Sequence, residues 1–503
     1  MTTTTSGGDG PPRSEDDVLA HFGYKQELDR AMGTFSSFAV SFSGMSITAA
    51  IFLTISFVFT NSGSAGIWAW PVSSIGVLLV GLVFADLVGR IPLAGYAYQW
   101  SSRLTNARFA WFVAVCGLIG FAVGCAGTIY GVTPYFMSEF GINDTVNAQI
   151  LCAAALATIV MLINVFGIRL ASRLNNAAVV TELIGGVGIS VAILITALIK
   201  HPHNVSFLFK QQPGASGGYF GAFILAFLLG AFTYAAWELP ADMAEETKDA
   251  PNIAARTMLM SLVAVAIAGM LLLIGYSYAA PSIGAIANSS TPVLDVIQYQ
   301  WGTTAKDIID VLFLISFVAV CLVIMAGAAR LLYSLARDNM SPLSGVFSKV
   351  SDRFHTPHWA LIGVTIFSFG MFAIPAKISS TALSYVVGTA SVGYNLVYLL
   401  VAGMFVYKVR KRSLPPSFGR FTLGKWAEPV GWAALIWQIF LVCTLTLPNI
   451  NQSVGWTTLA MIAVGGIWYV VHVHRATARG EAGPGRVVAV TTEEETAPPA
   501  RVV

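Results

Sequence analysis

Twelve stretches of roughly twenty mostly apolar residues, spread along almost the whole chain, leave very few folds open to it. They run near 36–60, 67–88, 109–136, 146–167, 176–199, 218–246, 254–280, 308–336, 358–375, 381–407, 428–447 and 455–473. Each is long enough to carry a helix across a bilayer core, and no period-two alternation suggests a β-barrel. Composition agrees, since 56% of the 503 residues are hydrophobic and only 11% are charged. A water-soluble multidomain protein is excluded on those figures. Nucleic-acid binding has no footprint, because the net charge is only +3 and the basic residues form no patch. Cys116, Cys125, Cys152, Cys321 and Cys443 all fall inside apolar runs without a paired spacing, so they read as packing residues and no metal site is expected.

Orientation follows from lysine and arginine, which accumulate in cytoplasmic loops. Of the 28 such residues, all but Lys200, Lys210, Lys306 and Lys377 lie in alternate segments beginning with the N-terminal one. Such a bias predicts an even number of spans with both termini cytoplasmic, in the plasma or inner membrane. The first 35 residues are polar and lack the apolar core of a secretory signal. The tail after His474, rich in Gly, Pro, Thr and Glu, reads as disordered. Asn-x-Ser/Thr sequons at Asn143, Asn204, Asn288 and Asn451 fall in the expected outer loops, where polar loop composition explains them.

Two of the spans are interrupted. The first reads FAVSFSGMSITAAIFLTISF, with Ser41, Ser43, Gly44, Ser46 and Thr48 packed together. The sixth reads FILAFLLGAFTYAAWELPADMAEET, broken by Gly230, Thr233, Glu238 and Pro240. Pro240 removes a backbone donor and disfavours helix at Leu239, which predicts an unwound stretch near 233–239. Breaks of this kind survive in a membrane only against protein or a water-filled cavity. They lie five spans apart, so the second copy of the unit must be inserted upside down, the pattern of transporters built from inverted repeats. Free amides and the positive end of a half-helix suit a carboxylate, and exposed carbonyls suit an ammonium group. The expected solute is therefore a small zwitterion or amine.

At these residues the chain resembles the amino acid/polyamine/organocation (APC) superfamily. The string FTYAAWELPADMAEETKDAPNIAAR is similar to its sixth-span signature. FGYKQELDRAMGTFSSFAVSFS, DLVGRIPLAGYAYQW, LASRLNNAAVVTEL and RLLYSLARDNMSPLSGVFSKV match further signatures in the same order. FGYKQEL and WELPADMAEET look most like the amino acid/choline transporter branch, which includes GABA permeases. The resemblance implies an all-α LeuT-type fold of twelve transmembrane helices with a five-plus-five inverted repeat and alternating access around a central site. Residues 1–35 would be a cytoplasmic segment, 36–199 and 218–407 the two repeats, 428–473 two further helices and 474–503 the tail. Carried over by position, the first-span substrate segment is Ser46, Ile47, Thr48, Ala49 and Ala50, ahead of Ile51 and Phe52. It departs from Gly-Ser-Gly-Ile-Phe, which points to a different or bulkier head group. The sixth-span segment is Phe232, Thr233, Tyr234, Ala235, Ala236 and Trp237, with Trp237 as a candidate pocket wall or core residue.

A charge near the bilayer centre costs about 2.5–3.5 kcal/mol on insertion scales and needs a reason. Glu182 follows Arg173 by nine residues, ~14 Å along a helix, which places it near mid-membrane. The resemblance puts it where proton-coupled relatives carry a lysine in place of a sodium ion. It is the candidate proton-coupling group, with a satisfied structural carboxylate as the alternative. Span eight has no Ser or Thr between Ser316 and Ser334, so a sodium site is poorly provided with hydroxyls. Glu238 is a candidate gate or path residue, either lining the substrate path or, the favoured reading, pairing with a basic group at the inner gate. Asp307 and Asp310 open span eight, where a helix N-terminus favours acids. No nucleophile elbow, zinc signature or phosphate loop occurs, and the seven histidines do not cluster, so covalent chemistry and cofactors have no apparatus. The expected function is proton-coupled import of an amino acid or related amine such as GABA. An exchanger or facilitator without proton coupling is the alternative within transport, and an intramembrane enzyme the alternative outside it. The expected partners are the solute, the proton and the bilayer, with no nucleic acid and no obligate protein partner.

Overall fold

The computed structural model describes residues 15–200, 203–211, 219–378 and 382–483. The first fourteen residues, His201 and the tail beyond Gly483 lie outside the described residues; of the tail expected to be disordered from His474 on, His474–Ala478 is helical and Gly483 is hydrogen-bonded to Asp338. Among the described residues eleven helices are long and apolar enough to cross a membrane. They are Thr34–Ser62, Ser64–Arg90, Ala107–Glu139, Val146–Val165, Arg169–Lys200, Ala250–Ala279, Thr303–Arg337, His358–Ile378, Leu383–Arg410, Gly424–Thr446 and Asn449–Ala478. Sixth in order comes a shorter apolar helix, Tyr219–Thr233, which resumes after a gap as Leu239–Asp242 and fills the place of the expected sixth span. Hydropathy therefore located all eleven of these, and its sixth stretch falls on the shorter helix Tyr219–Thr233. Its edges drift most where a helix opens on polar residues, as in span five, which begins at Arg169 rather than near 176, and span eight, which begins at Thr303 rather than near 308.

Burial divides the bundle into a centre and a shell. In spans one, three and ten about four-fifths of the most apolar window is buried, against 28% in span four and 11% in span twelve. The shell turns large aliphatic side chains outward, among them Ile184, Ile199 and Val464. A surface of that kind belongs in lipid. At the centre, small residues bring helices together. A Cβ on Gly393 of span ten would lie 2.5 Å from the amide nitrogen of Gly120 in span three, so the two backbones touch.

Both described ends of the chain meet on one face, hereafter the terminal face. There the Tyr24 hydroxyl donates to Asp338 at 3.0 Å, and the Gly483 amide donates to the Asp338 carbonyl at 3.0 Å. Residues before span one cross this face as a strap. The Met32 amide donates to the Glu246 carbonyl, and the Lys248 amide to the Met32 carbonyl, each at 2.9 Å. A short helix, Tyr96–Leu104, lies beneath the strap, and two more, Ile283–Ala287 and Pro292–Trp301, lie on the opposite, distal face. None of the three holds a twenty-residue apolar window, which is why hydropathy passed over them.

Candidate functional site

The first span breaks at a single residue. Helix Thr34–Met45 ends, Ser46 takes φ 28° and ψ 92°, and helix Ile47–Ser62 begins. Ser46 still accepts the Ala50 amide on its carbonyl at 2.9 Å, and its side chain accepts the Ala49 amide at 3.3 Å. Among the amides that open the second limb, that of Thr48 finds its partner on another span. Glu182 supplies it. Its Oε1 accepts from the Thr48 amide at 3.2 Å, the Thr48 hydroxyl at 2.9 Å and the Ser46 hydroxyl at 3.1 Å. Glu182 is 2% exposed and opens a π-helical turn, Glu182–Val187, in span five. That wider turn displaces the helix face locally, a distortion found often at functional sites.

The sixth span opens over five residues, Tyr234 to Glu238, between helices Phe227–Thr233 and Leu239–Asp242. Ala236 sits in the left-handed region at φ 59°. Within the gap the carbonyls of Tyr234 and Ala235 accept no hydrogen bond among the described residues. The two breaks face each other. A Cβ on Gly44 would stand 2.6 Å from the Ala236 carbonyl oxygen, so only glycine allows the approach. Ser41 hydroxyl donates to the Trp237 carbonyl at 2.6 Å and also pairs with Ser261.

Between the breaks lies a small cavity bordered by Ala49, Ala50, Phe232 and Ala235, with about 20 Å³ of free space. That volume admits one water at most, so the centre is closed. Ala50, Phe232 and Val387 pack together over it. The remaining predicted residues are placed elsewhere. Ser46 and Thr48 serve Glu182, and Ile47 is buried core. Thr233 turns its hydroxyl back to the Leu229 carbonyl at 2.7 Å. Tyr234 bonds Ser74 of span two at 2.6 Å and packs on Trp70. Trp237 is fully buried against Phe84 and Tyr398.

Below the second gap the polar groups are less well satisfied. Glu238 Oε2 accepts from the Tyr398 hydroxyl at 2.6 Å, while Oε1 has no partner. Both Asp242 carboxylate oxygens and the Tyr96 and Tyr394 hydroxyls are also buried without one. Nearer the terminal face the charges are paired. Arg330 grips Glu246 through two bonds of 2.7 and 3.2 Å, and Arg337 grips Glu245 at 3.1 and 3.2 Å. Arg337 also stacks over the Tyr24 ring at 3.9 Å. Burial pushes the Tyr24 phenol up to about 12, so it stays protonated and donates to Asp338.

Eleven membrane-length helices and a sixth, interrupted one, with two facing breaks, have the plan of a transporter. Residues 32–468 match the sequence profile of the family described as amino acid permease. The chain belongs to that family. Amino-acid permease BAT1 of Arabidopsis thaliana is 26% identical over 461 residues, spanning 86% of this chain and 88% of that protein. A BAT1 homologue from Oryza sativa is 25% identical over 489 residues, spanning 90% and 92%. A GABA-specific permease of Saccharomyces cerevisiae is 22% identical over 506 residues, spanning 92% and 84%. The protein is thus a multi-pass membrane permease for amino acids, not an enzyme, and the all-α APC-type fold implied by its motifs is the fold observed. Around the permease's cavity, sequence reading missed Gly124 and Thr128 of span three, Val320 and Ile324 of span eight, and Tyr394 of span ten. Gly124, Val320 and Ile324 carry no signal of their own, because small and aliphatic residues fill every span.

Proposed function

We propose that this permease imports an amino acid or related amine, with GABA among the candidate solutes, together with a proton, by alternating access between two five-span units of opposite orientation, 36–199 and 218–407. The terminal face is then cytoplasmic, in line with the skew of basic residues, and the membrane is the plasma or inner membrane. The observation that carries the reading is the convergence of three donors on Glu182 Oε1 at the N-terminus of the outer limb of span one. That end of a half-helix is where a solute carboxylate would dock. An ionised Glu182 fills the place and repels a second carboxylate. A proton on Glu182 removes the charge and releases the Thr48 amide to the solute. Proton and anionic head group therefore enter together, and leave together once the terminal face opens. The ammonium end finds the open carbonyls of Tyr234 and Ala235, while Ala49, Ala50, Phe232 and Ala235 enclose the chain between. Ser46, Ile47 and Thr48 shape the carboxylate end, Thr233, Tyr234 and Trp237 hold the gap open from outside, and Glu238 lies on the exit path.

The three bonds to Glu182 equally suit a helix cap, which favours exchange without proton coupling as the second reading. Glu182→Gln in proteoliposomes separates the two. Under the proton reading, accumulation driven by a pH gradient is lost while counterflow of labelled GABA continues. Full concentrative uptake by the variant would reject the role.

A further inference from the structure

Asp310 does not lie at a helix end. Span eight begins at Thr303, so Asp310 is two turns in, beyond the reach of the favourable field at the N-terminus. Asp307, one turn earlier, is exposed, whereas Asp310 is 1% exposed and neither of its carboxylate oxygens has a partner among the described residues. An unpaired buried carboxylate is costly, and its retention calls for a use. The segment Thr133–Glu139, at the distal end of span three, packs on span eight. It brings Tyr135, also 1% exposed, whose hydroxyl is likewise without a partner and which stands in the field of Asp310 and Asp295 and against the ring of Phe317. The other charges acting on Asp310 are Glu139, Lys306 and Asp307. Lys306 is turned toward the Ser138 hydroxyl, so acids dominate the surroundings. Phe52, Phe313, Phe317 and Tyr135 form the floor, with ring centroids 4.8 to 6.0 Å apart. Phe52 stands two residues beyond Ala50, which borders the central cavity.

We propose that Asp310 and Tyr135 form a distal-side receiving site for a primary alkylammonium group, above the aromatic floor and separate from the central cavity. An ammonium has three donors and no acceptor, which matches two carboxylate oxygens and a phenol oxygen, and the aromatic faces receive the alkyl carbons and the cation's field. A solute that enters amine end first would arrive with its carboxylate still in water. This inference rests on the proposed import of an amine-bearing solute, but its test does not require transport. The full-length protein in detergent is titrated with n-butylammonium chloride and followed by thermal midpoint and calorimetry, with sodium butyrate as the anionic control. Wild-type protein binds butylammonium and not butyrate. Asp310→Asn weakens that binding about tenfold or more, and Tyr135→Phe, the milder change, about threefold. Glu428→Gln, which removes an exposed carboxylate at the start of span eleven, leaves it unaltered, and proton coupling is read separately in proteoliposomes, so loss of coupling and loss of this site are separately visible. Absence of butylammonium binding to wild type, or unweakened binding by an Asp310→Asn protein whose unliganded midpoint matches wild type, overturns the proposal. Should Asp310→Asn not fold, unweakened binding by Tyr135→Phe overturns it.

Discussion

The two interrupted helices solve the same problem in opposite ways. In span one the break is a single residue, and the exposed helix end is filled by the protein itself, through Ser46 and the Glu182 carboxylate. In span six the gap is five residues long, the carbonyls of Tyr234 and Ala235 are open, and Glu238 and Asp242 retain unpaired oxygens beneath it. One break is chemically closed and the other chemically open. Each unmet buried polar group costs about 1–3 kcal/mol, so the open one is the part of the molecule held away from its own stability optimum. Shape alone would not distinguish them, since both face the same 20 Å³ cavity.

The comparison fails most completely if the breaks are pushed apart. Gly44→Ala places a methyl 2.6 Å from the Ala236 carbonyl and 2.8 Å from Leu239 Cδ1. Backbone cannot yield as a flexible side chain does, so the variant should lose ~1–3 kcal/mol of stability and solute uptake with it. Expression of a folded protein with wild-type uptake and midpoint would mean that the two breaks do not act as one site.

A smaller pair of substitutions asks whether the two are satisfied unequally. Thr48→Val removes one of three donors to Glu182 and leaves the amide and Ser46 in place. Tyr398→Phe strips the hydrogen bond that Glu238 receives, leaving both oxygens bare. Tyr398→Phe is expected to cost ~2 kcal/mol and Thr48→Val ~1 kcal/mol in denaturation measured in the same detergent. Equal losses would show that the contrast between closed and open is not energetic.

How much of this was legible beforehand depends on whether the signal was local. Span positions and both breaks were, because twenty-residue hydropathy windows, Pro240 and the serine cluster before Thr48 act within a few residues of themselves. Glu182 stood out as an acid nine residues beyond Arg173, near mid-membrane. Its partnership with Ser46 and Thr48 did not, because that depends on the register of span five against span one, across about 134 positions of chain. Side-chain direction in residues 234–238 was equally hidden. Helical periodicity assigns faces, and an unwound stretch has none, so nothing marked Tyr234 and Trp237 as turned toward span two and span ten rather than inward. Asp310 was read as a helix-opening acid because the polar run Thr303 to Asp307 looked like loop, and five residues of error hid two turns of burial.

The finest test concerns the pivots. Ser46 and Ala236 both hold positive φ without being glycine, at 28° and 59°, a conformation that costs an L-residue roughly 1–2 kcal/mol. At Ser46 the hydroxyl is used twice, by Ala49 and by Glu182, so strain and hydrogen bonding are tied together and glycine there would lose both partners. Ala236 offers no such compensation, since its side chain is a methyl. Ala236→Gly should therefore relieve the strain, offset in part by the added freedom of the unfolded chain, for a net gain of ~0.5 kcal/mol, read as a slightly raised thermal midpoint. The same substitution loosens the wider gap, so its uptake should change in rate before it changes in affinity for the solute. A lowered midpoint would mean that the Ala236 methyl contributes packing worth more than its backbone strain, and that the second gap is held open by contact and not by conformation.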